Sequence, residues 1–347
     1  MRILVTGNEG YIGSVLAPLL ASAGHEVAGL DSGLFGGCAY GRRRSEIKTI
    51  RRDIRDVQAR DLAGFDAVAH LAGLSCEDLD AFDPSLINEI NHLAAVGLAR
   101  CAREAGVSRF ILSSSCGVYA AQDGELVDET HPCNPSTPFE ISKTRAEQGI
   151  AELADPKFSP MFLRNAQAYG ASPRLRLDVA VNNFVARVFA DRRLSLEAGA
   201  MAWHPVAHVQ DISRAFAAVF EAPRERVHNR TFNVGRNEDN YRLRDIAEIV
   251  ADTMPRCRID PFDDTDAQPQ SCPVDFSALE KALPDFQPQW HVRRGAQQLF
   301  HLFRDEQLRG GKLEQALFSR AAHLRNLLAS GDLNGSLRWA GKKAIAL

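Results

Sequence analysis

Short apolar runs alternate along the chain with stretches in which apolar residues recur every three or four positions. The runs predict strands, at 2–6, 26–31, 66–73, 109–115, 160–165 and near 230–234. The helical spacing predicts helices, at 12–23 with Pro18 inside, 85–105, 138–153, near 178–191, 211–221 and 243–253, and along a tail from 292 to 330. Alternation of strand and helix predicts an α/β fold with a parallel sheet.

The segment TGNEGYIG places Gly7, Gly10 and Gly13 directly after the first strand and at the start of the next helix. The first glycine permits a tight turn, the second lets the backbone approach a pyrophosphate, and the third allows the helix to pack closely on the strand. Asp31 ends the second strand, where it can bind the ribose hydroxyls and repel a 2′-phosphate. This favours NAD over NADP. The arginines at 42–44 keep NADP as the lesser alternative, and a structural glycine turn with a surface aspartate is the other.

Further motifs follow in a fixed order: RRDIRD (51–56), HLAG (70–73), Asn91, SSSCGVYA (113–120), SKTRAE (142–147), AYG (168–170), HVQDISRAF (208–216) and FNVG (232–235). With these motifs, the chain over about 1–290 resembles the extended short-chain dehydrogenases, specifically the NAD-dependent nucleotide-sugar epimerase/dehydratase family. The resemblance implies a Rossmann-type doubly wound parallel sheet with a smaller α/β C-terminal substrate lobe. It divides the chain into an NAD-binding domain (1–170), an interleaved substrate lobe (171–291) and a helical C-terminal extension (292–347).

The resemblance also implies roles for individual residues. NAD would be bound by Gly7, Glu9, Gly10, Tyr11, Ile12, Gly13, Asp31, Asp53, Ile54, Leu71, Ala72, Gly73, Asn91, Ser113 and Lys143. The substrate would be contacted by Gln167, Arg176, Asn182 and His204. Ser115 would hydrogen-bond the substrate oxygen that becomes a carbonyl, and Lys143 would lower the pKa of a neighbouring phenol.

That phenol is absent. The family's catalytic tyrosine corresponds to Phe139, which lies four residues before Lys143 and therefore on the same helix face. A phenyl ring cannot transfer a proton, so acid/base chemistry would need another group: Cys116, His204, Glu140 or a water molecule. Cys116 fits a small packing residue better than a reactive group.

The diphosphate anchors differ as well. The family's two phosphate-binding arginines correspond to His204 and, near the later segment, to Gln270. Neither side chain supplies the permanent bidentate charge of an arginine, although Arg174 and Arg176 are partial substitutes.

Three interpretations follow. The protein is an epimerase/dehydratase-like enzyme on a sugar nucleotide or a sugar-like natural-product intermediate, with altered acid/base chemistry. Alternatively, it binds NAD without redox chemistry, or Phe139 is an engineered replacement of tyrosine made to trap a complex.

The composition limits the kinds of partner that the protein is expected to bind. The net charge of −3 gives no reason to expect nucleic acid or an anionic membrane, and no apolar run is long enough to span a bilayer. Seven cysteines without CxxC spacing predict neither a metal site nor a disulfide framework, and together with the lack of a signal peptide they favour the cytoplasm. The family often pairs through two helices from each subunit, here 85–105 and 138–153, so a homodimer is expected.

Overall fold

The computed structural model describes residues 1–40, 47–75, 83–119, 124–196, 199–254, 257–260, 271–308 and 316–340. Within these ranges the strands are β1 (Arg2–Thr6), β2 (Glu26–Asp31), β3 (Thr49–Arg51), β4 (Ala67–His70), β5 (Arg109–Ser115), β6 (Ser159–Asn165), β7 (Gln167–Tyr169), β8 (Arg193–Leu194), β9 (Trp203–His208), β10 (Arg230–Val234), β11 (Asn240–Arg242) and β12 (Arg258–Ile259).

Seven strands form one parallel sheet in the order β10-β6-β5-β4-β1-β2-β3. The chain reverses its direction of travel across the sheet between β1 and β4, where Ile3 pairs with Val27 on one side and with Ala67 on the other. In doubly wound sheets, the crevice at the carboxyl ends of strands flanking such a reversal is where ligands bind. Two smaller sheets, β11-β9-β7 and β12-β8, lie in the C-terminal half of the chain.

Helices cover both faces of the sheet. They are α1 (Gly13–Ser22), α2 (Pro84–Asn88), α3 (Ala94–Glu104), α4 (Pro138–Ala151), α5 (Ala180–Asp191), α6 (Val209–Glu221), α7 (Arg224–Val227), α8 (Leu243–Asp252), α9 (Ser277–Ala282), α10 (Val292–Asp305) and α11 (Arg320–Ala329). The sequence pattern predicted one helix at 85–105. The structure joins α2 to α3 through a π-helical turn, Glu89–Leu93, which apolar spacing alone does not reveal. The predicted strand at 66–73 is shorter, because residues 71–73 leave the sheet to line the cavity described below.

The apolar core has two layers around the main sheet. Leu4, Val68 and Phe110 point to the side covered by α3 and α4, while Ile3 and Ile111 point to the side covered by α6. A third apolar cluster joins α5, α8 and α10 and so supports the smaller sheets. Within the described ranges, no helix is long and apolar enough to cross a membrane.

Candidate active site

A cavity of about 760 Å³ opens at the carboxyl ends of β1, β4 and β5. Its wall combines the glycine loop, the strand ends, the start of α4 and residues of the smaller sheets. Most of the residues proposed from the sequence line it: Gly7, Gly10, Tyr11, Ile12, Gly13, Asp31, Asp53, Ile54, Leu71, Ala72, Gly73, Ser113, Ser115, Cys116, Phe139, Lys143, Gln167, Arg176 and His204. Glu9, Asn91 and Asn182 lie behind this wall.

The glycine loop is packed so tightly that side chains do not fit. Gly7 has a φ of +70°, in the region that favours glycine. A Cβ on Gly13 would lie 2.1 Å from the Gly7 carbonyl oxygen. The loop therefore brings bare backbone and the amino end of α1 to the cavity, an arrangement that suits a pyrophosphate.

Gly13→Ala is expected to weaken NAD binding by about 10- to 100-fold, because relieving such overpacking typically costs about 1–3 kcal/mol. Gly97→Ala is the matched control, since a Cβ there meets nothing within 4 Å and alanine favours a helix. Calorimetric titration with NAD measures the effect. Unchanged affinity in Gly13→Ala would show that the loop does not form the cofactor cradle.

Asp31 is fixed by backbone amides. Its Oδ1 accepts from Gly33 N at 2.7 Å and its Oδ2 from Glu9 N at 3.1 Å, while burial raises its pKa. The Glu9 side chain forms a bidentate ion pair with Arg51, with N–O distances of 2.5 and 2.6 Å. The carboxylate of Asp31 thus stays available at the cavity wall, and Glu9 neutralises the nearby arginine that could otherwise attract a 2′-phosphate.

Asn91 and Asp53, two further residues predicted to bind the cofactor, hydrogen-bond to nearby backbone groups. Asn91 lies in the π-helical turn, and its amide clamps Leu74 by accepting from Leu74 N at 2.8 Å and donating to Leu74 O at 2.9 Å. This holds residues 71–73 against the cavity. Asp53 caps the short turn containing Ile54 and pairs with Arg55 at 2.6 Å.

Lys143 is the one buried ammonium on the described cavity wall. Its Nζ donates to Ser113 O at 2.7 Å and lies 5.7 Å from the ring centroid of Phe139. Burial lowers its pKa from 10.5 to about 8, against an opposing effect of Glu147. The spacing expected between positions 139 and 143 is thus realised, with a phenyl ring where a phenol would have transferred the proton.

The other proton-transfer candidates differ in their availability. The Cys116 thiol donates to Arg164 O at 3.1 Å, and burial raises its pKa, so it stays protonated. Glu140 is committed to the amino end of α4, where its Oε2 accepts from Ser136 N and Thr137 N. The Ser115 hydroxyl oxygen accepts a hydrogen bond from Gly117 N at 3.1 Å. This bond does not use the hydroxyl hydrogen of Ser115.

The cavity wall also includes uncharged ring side chains. His204 is buried, which lowers its pKa to about 4, and its Nε2 has no hydrogen-bond partner. Its neighbour Trp203 also has an unpartnered buried Nε1. Gln167 faces the cavity while its Oε1 caps α5 by accepting from Ala180 N at 3.0 Å. His204 and Trp203 therefore each contribute a buried, unpartnered ring nitrogen to this part of the described structure.

Buried neutral histidines make the protein sensitive to acid. The pKa values of His204 and His208 are lowered to about 4 and that of His70 to about 3, in each case chiefly by burial. In the unfolded chain these groups bind protons near pH 6.5, so their stability contribution is complete above that pH and is lost as pH falls toward 4.

Three such groups reduce the free energy of unfolding by up to about 4 kcal/mol per pH unit between pH 6 and 4. Urea unfolding at pH 7.5, 6 and 5 tests this. His204→Gln is expected to flatten the pH dependence, whereas the exposed control His301→Gln leaves it unchanged. A pH-independent midpoint in the unmodified protein would rule out the buried neutral state.

Asn182 was expected at the substrate and instead has no exposed surface. Its Oδ1 accepts from Gly170 N at 2.9 Å, and its Nδ2 donates to Tyr11 OH at 2.9 Å and to Arg176 O at 2.8 Å. These bonds fix the glycine loop to the segment that carries Arg176. The side chain of Arg176 pairs with Asp178 at 2.7 Å.

Sequence reasoning missed several wall residues, namely Ser114, Tyr119, Asn165, Trp203 and Arg320. Trp203 could have been found, because it adjoins His204 in the same strand. Arg320 had no local signal, since it comes from a helix far along the chain. Gln270 and the arginines at 42–44 lie outside the described residues.

Together, the parallel sheet, the glycine cradle and Asp31 define a dinucleotide-binding site of the Rossmann class. Residues 3–235 match the model of the NAD dependent epimerase/dehydratase family. This match covers more than half of the chain, so the chain belongs to that family. It is an enzyme of this type, and its cofactor is NAD.

Individual relatives agree with this assignment. A UDP-glucose 4-epimerase of Corynebacterium glutamicum is 26% identical over 288 residues, which is 75% of this chain and 85% of the relative. A UDP-glucose 4-epimerase of Mycolicibacterium smegmatis is 33% identical over 157 residues, 42% of this chain and 49% of the relative.

Two solved structures share the fold. MoeE5 in complex with UDP-glucuronic acid and NAD has a TM-score of 0.73 at 23% identity, over 88% of this chain and 99% of its own. TunA, an NAD-dependent NDP-hexosamine 5,6-dehydratase involved in tunicamycin biosynthesis, has a TM-score of 0.75 at 20% identity, over 88% of this chain and 98% of its own.

Proposed function

We propose that the protein acts on a nucleotide sugar or a closely related sugar intermediate by transient oxidation of a sugar hydroxyl, followed by epimerisation or elimination. The observation that carries this proposal is Lys143, a buried amine whose pKa is lowered to about 8, in a cavity that also contains the cofactor cradle. The named relatives that act on UDP-glucose and NDP-hexosamine support the substrate class. When bound, NAD accepts the hydride and returns it.

The proton is transferred by Lys143 itself in this proposal. With a pKa near 8, about a tenth of the amine is neutral at pH 7 and able to accept a proton from a substrate hydroxyl, directly or through water. The bond to Ser113 O orients the amine, and the half-buried ring of Phe139 shields it. The Ser115 hydroxyl donates a hydrogen bond to the substrate oxygen that becomes a carbonyl.

Cys116 and Glu140 are poorer choices for this role. The thiol is bonded to a carbonyl with a raised pKa, and the carboxylate accepts two backbone amides at the helix end. His204 is a neutral, buried residue of the cavity wall, so we assign it to substrate binding together with Gln167 and Arg176.

Phe139 also favours a second function, an NAD-binding protein without redox chemistry. The two proposals differ in solvent exchange. An active enzyme that eliminates or epimerises at the carbon next to the transient carbonyl takes up solvent deuterium there, which mass spectrometry detects. Epimerisation at the oxidised carbon itself returns the abstracted hydride without exchange, and chromatography detects it as a changed sugar. Neither deuterium uptake nor a changed sugar with UDP-glucose, UDP-glucuronic acid or dTDP-glucose, in protein shown to contain NAD, would favour the silent protein.

We further propose a cytoplasmic homodimer. The helices α3 and α4 pack side by side, with Gly149 close enough that a Cβ would lie 2.8 Å from Val96 Cγ2, and the adjoining Leu93 is 55% exposed. The six described cysteines are free, in keeping with a reducing compartment. Sedimentation at micromolar concentration tests the dimer, and a monomer would refute it.

A further inference from the structure

The C-terminal segment 316–340 packs across the loop that follows β2, beside the cofactor half of the cavity. Trp339 Nε1 donates to Ser32 O at 2.7 Å, and His323 Nε2 lies 3.1 Å from Leu34 O. Ser32 and Leu34 both line the cavity. Three leucines of the segment are buried in the core layer of α3 and α4: Leu324, Leu333 and Leu337.

The same segment also contacts the turn after β3. Arg338 pairs with Asp56 at 2.5 Å, and Arg55 donates to Ser336 O at 2.9 Å. That turn begins at Asp53 and contains Ile54, which are cavity residues. The segment, which lies beyond the 3–235 region of the family match, thus holds both loops on this side of the cavity.

Arg320 is the residue by which this segment enters the cavity wall. It is 4% exposed, and its guanidinium lies 5.3 Å from the ring centroid of Phe35. Its Nη2 donates to Arg174 O at 2.7 Å and its Nη1 to Leu317 O at 3.3 Å, and Cys38 is a further partner. These partners are uncharged groups.

Asp178, the carboxylate whose charge acts on Arg320, is paired with Arg176 at 2.7 Å. Among the described residues, no carboxylate lies within ion-pair distance of Arg320. A buried guanidinium is costly without a counter-charge, and its remaining N–H groups form strong hydrogen bonds to any anion that enters the cavity.

The position of Arg320 identifies the anion. Arg174, whose carbonyl it binds, follows Ser172, and the Ser172 hydroxyl donates to Tyr11 O in the glycine loop at 2.7 Å. Arg320 therefore belongs to the part of the wall that adjoins the pyrophosphate cradle. We propose that Arg320 binds a phosphate of the bound dinucleotide, and that segment 316–340 is a strap that retains the cofactor.

Arg320→Met and Arg320→Lys test this proposal in the full chain, after removal of any bound nucleotide. The control is Arg325→Met, an exposed arginine on the same helix. Affinities for NAD, ADP-ribose and adenosine are measured by displacement of fluorescent NADH. We expect Arg320→Met to lower the affinities for NAD and ADP-ribose by about 10- to 100-fold, which is the range for the loss of a hydrogen bond to a charged group. The affinity for adenosine should change by less than about twofold, because adenosine lacks a phosphate.

Two outcomes would overturn the proposal. An equal loss for adenosine and ADP-ribose would mean that Arg320 supports only the fold of the wall. Unchanged NAD and ADP-ribose affinity would refute a phosphate contact. If Arg320→Met does not fold, Arg320→Lys provides the test, because it keeps the positive charge. The proposal then requires that Arg320→Lys lowers the affinity for ADP-ribose but not the affinity for adenosine. None of these outcomes depends on turnover of a sugar.

Discussion

Phe139→Tyr is expected to raise turnover by about 10²–10⁴, the usual contribution of a positioned general acid/base. The phenol would lie on the Lys143 side of the cavity, where the ring centroid of Phe139 is already 5.7 Å from Nζ. A nearby ammonium lowers the pKa of a phenol, so the new group would exchange protons near neutral pH. Initial rates with a panel of nucleotide sugars measure the gain.

Phe139→Leu is the control, because it changes the ring without adding a proton donor. The gain should also disappear in Phe139→Tyr combined with Lys143→Met. If Phe139→Tyr gives no gain on any sugar that the parent protein converts, the pocket has been adapted to a chemistry in which position 139 takes no part.

Lys143→Met is expected to reduce turnover by at least about 10² while NAD stays bound, because it removes the proposed proton acceptor without altering the glycine cradle. It should also stabilise the protein. The pKa of Lys143 falls from 10.5 to about 8 on burial, which corresponds to an upper bound of about 3 kcal/mol of destabilisation below pH 8. This penalty shrinks as pH rises from 8 to 10.5, since the unfolded chain then holds a proton that the folded chain has released.

Urea unfolding at pH 7 and pH 10 measures this effect, with the exposed Lys157→Met as the control. A rate–pH profile of the parent protein should rise with an apparent pKa near 8. Lys143→Met that keeps full turnover, or that unfolds more easily at pH 7, would show that the lysine is a structural group rather than the proton acceptor.

The cofactor half of the site was predictable because its signals are local. Gly7, Gly10 and Gly13 lie within one turn, and Asp31 ends the next strand, so spacing along the chain is enough to place them together. The structure confirms the α/β fold and parallel order that this pattern predicts.

Contacts between distant segments were not predictable in the same way. Asn182 carries the residue type of a substrate ligand, yet its amide is used to fasten the glycine loop to residues around Gly170. Arg320 reaches the wall only because α11 packs against the loop after β2, where His323 contacts Leu34, 289 positions earlier, and no periodicity encodes that contact. The uncharged state of His204 likewise depends on burial, which the strand pattern alone does not determine.

The central claim is that this cavity still carries out hydride chemistry despite Phe139. The most direct test adds UDP-glucose, UDP-glucuronic acid and dTDP-glucose separately to NAD-loaded protein and follows the absorbance of reduced nicotinamide in a stopped-flow instrument. We predict that at least one sugar produces the band, slowly in the parent protein and faster in Phe139→Tyr. Absence of the band in both proteins with every sugar, while denaturing release and mass spectrometry confirm bound NAD, would contradict the claim and leave a redox-silent NAD-binding protein.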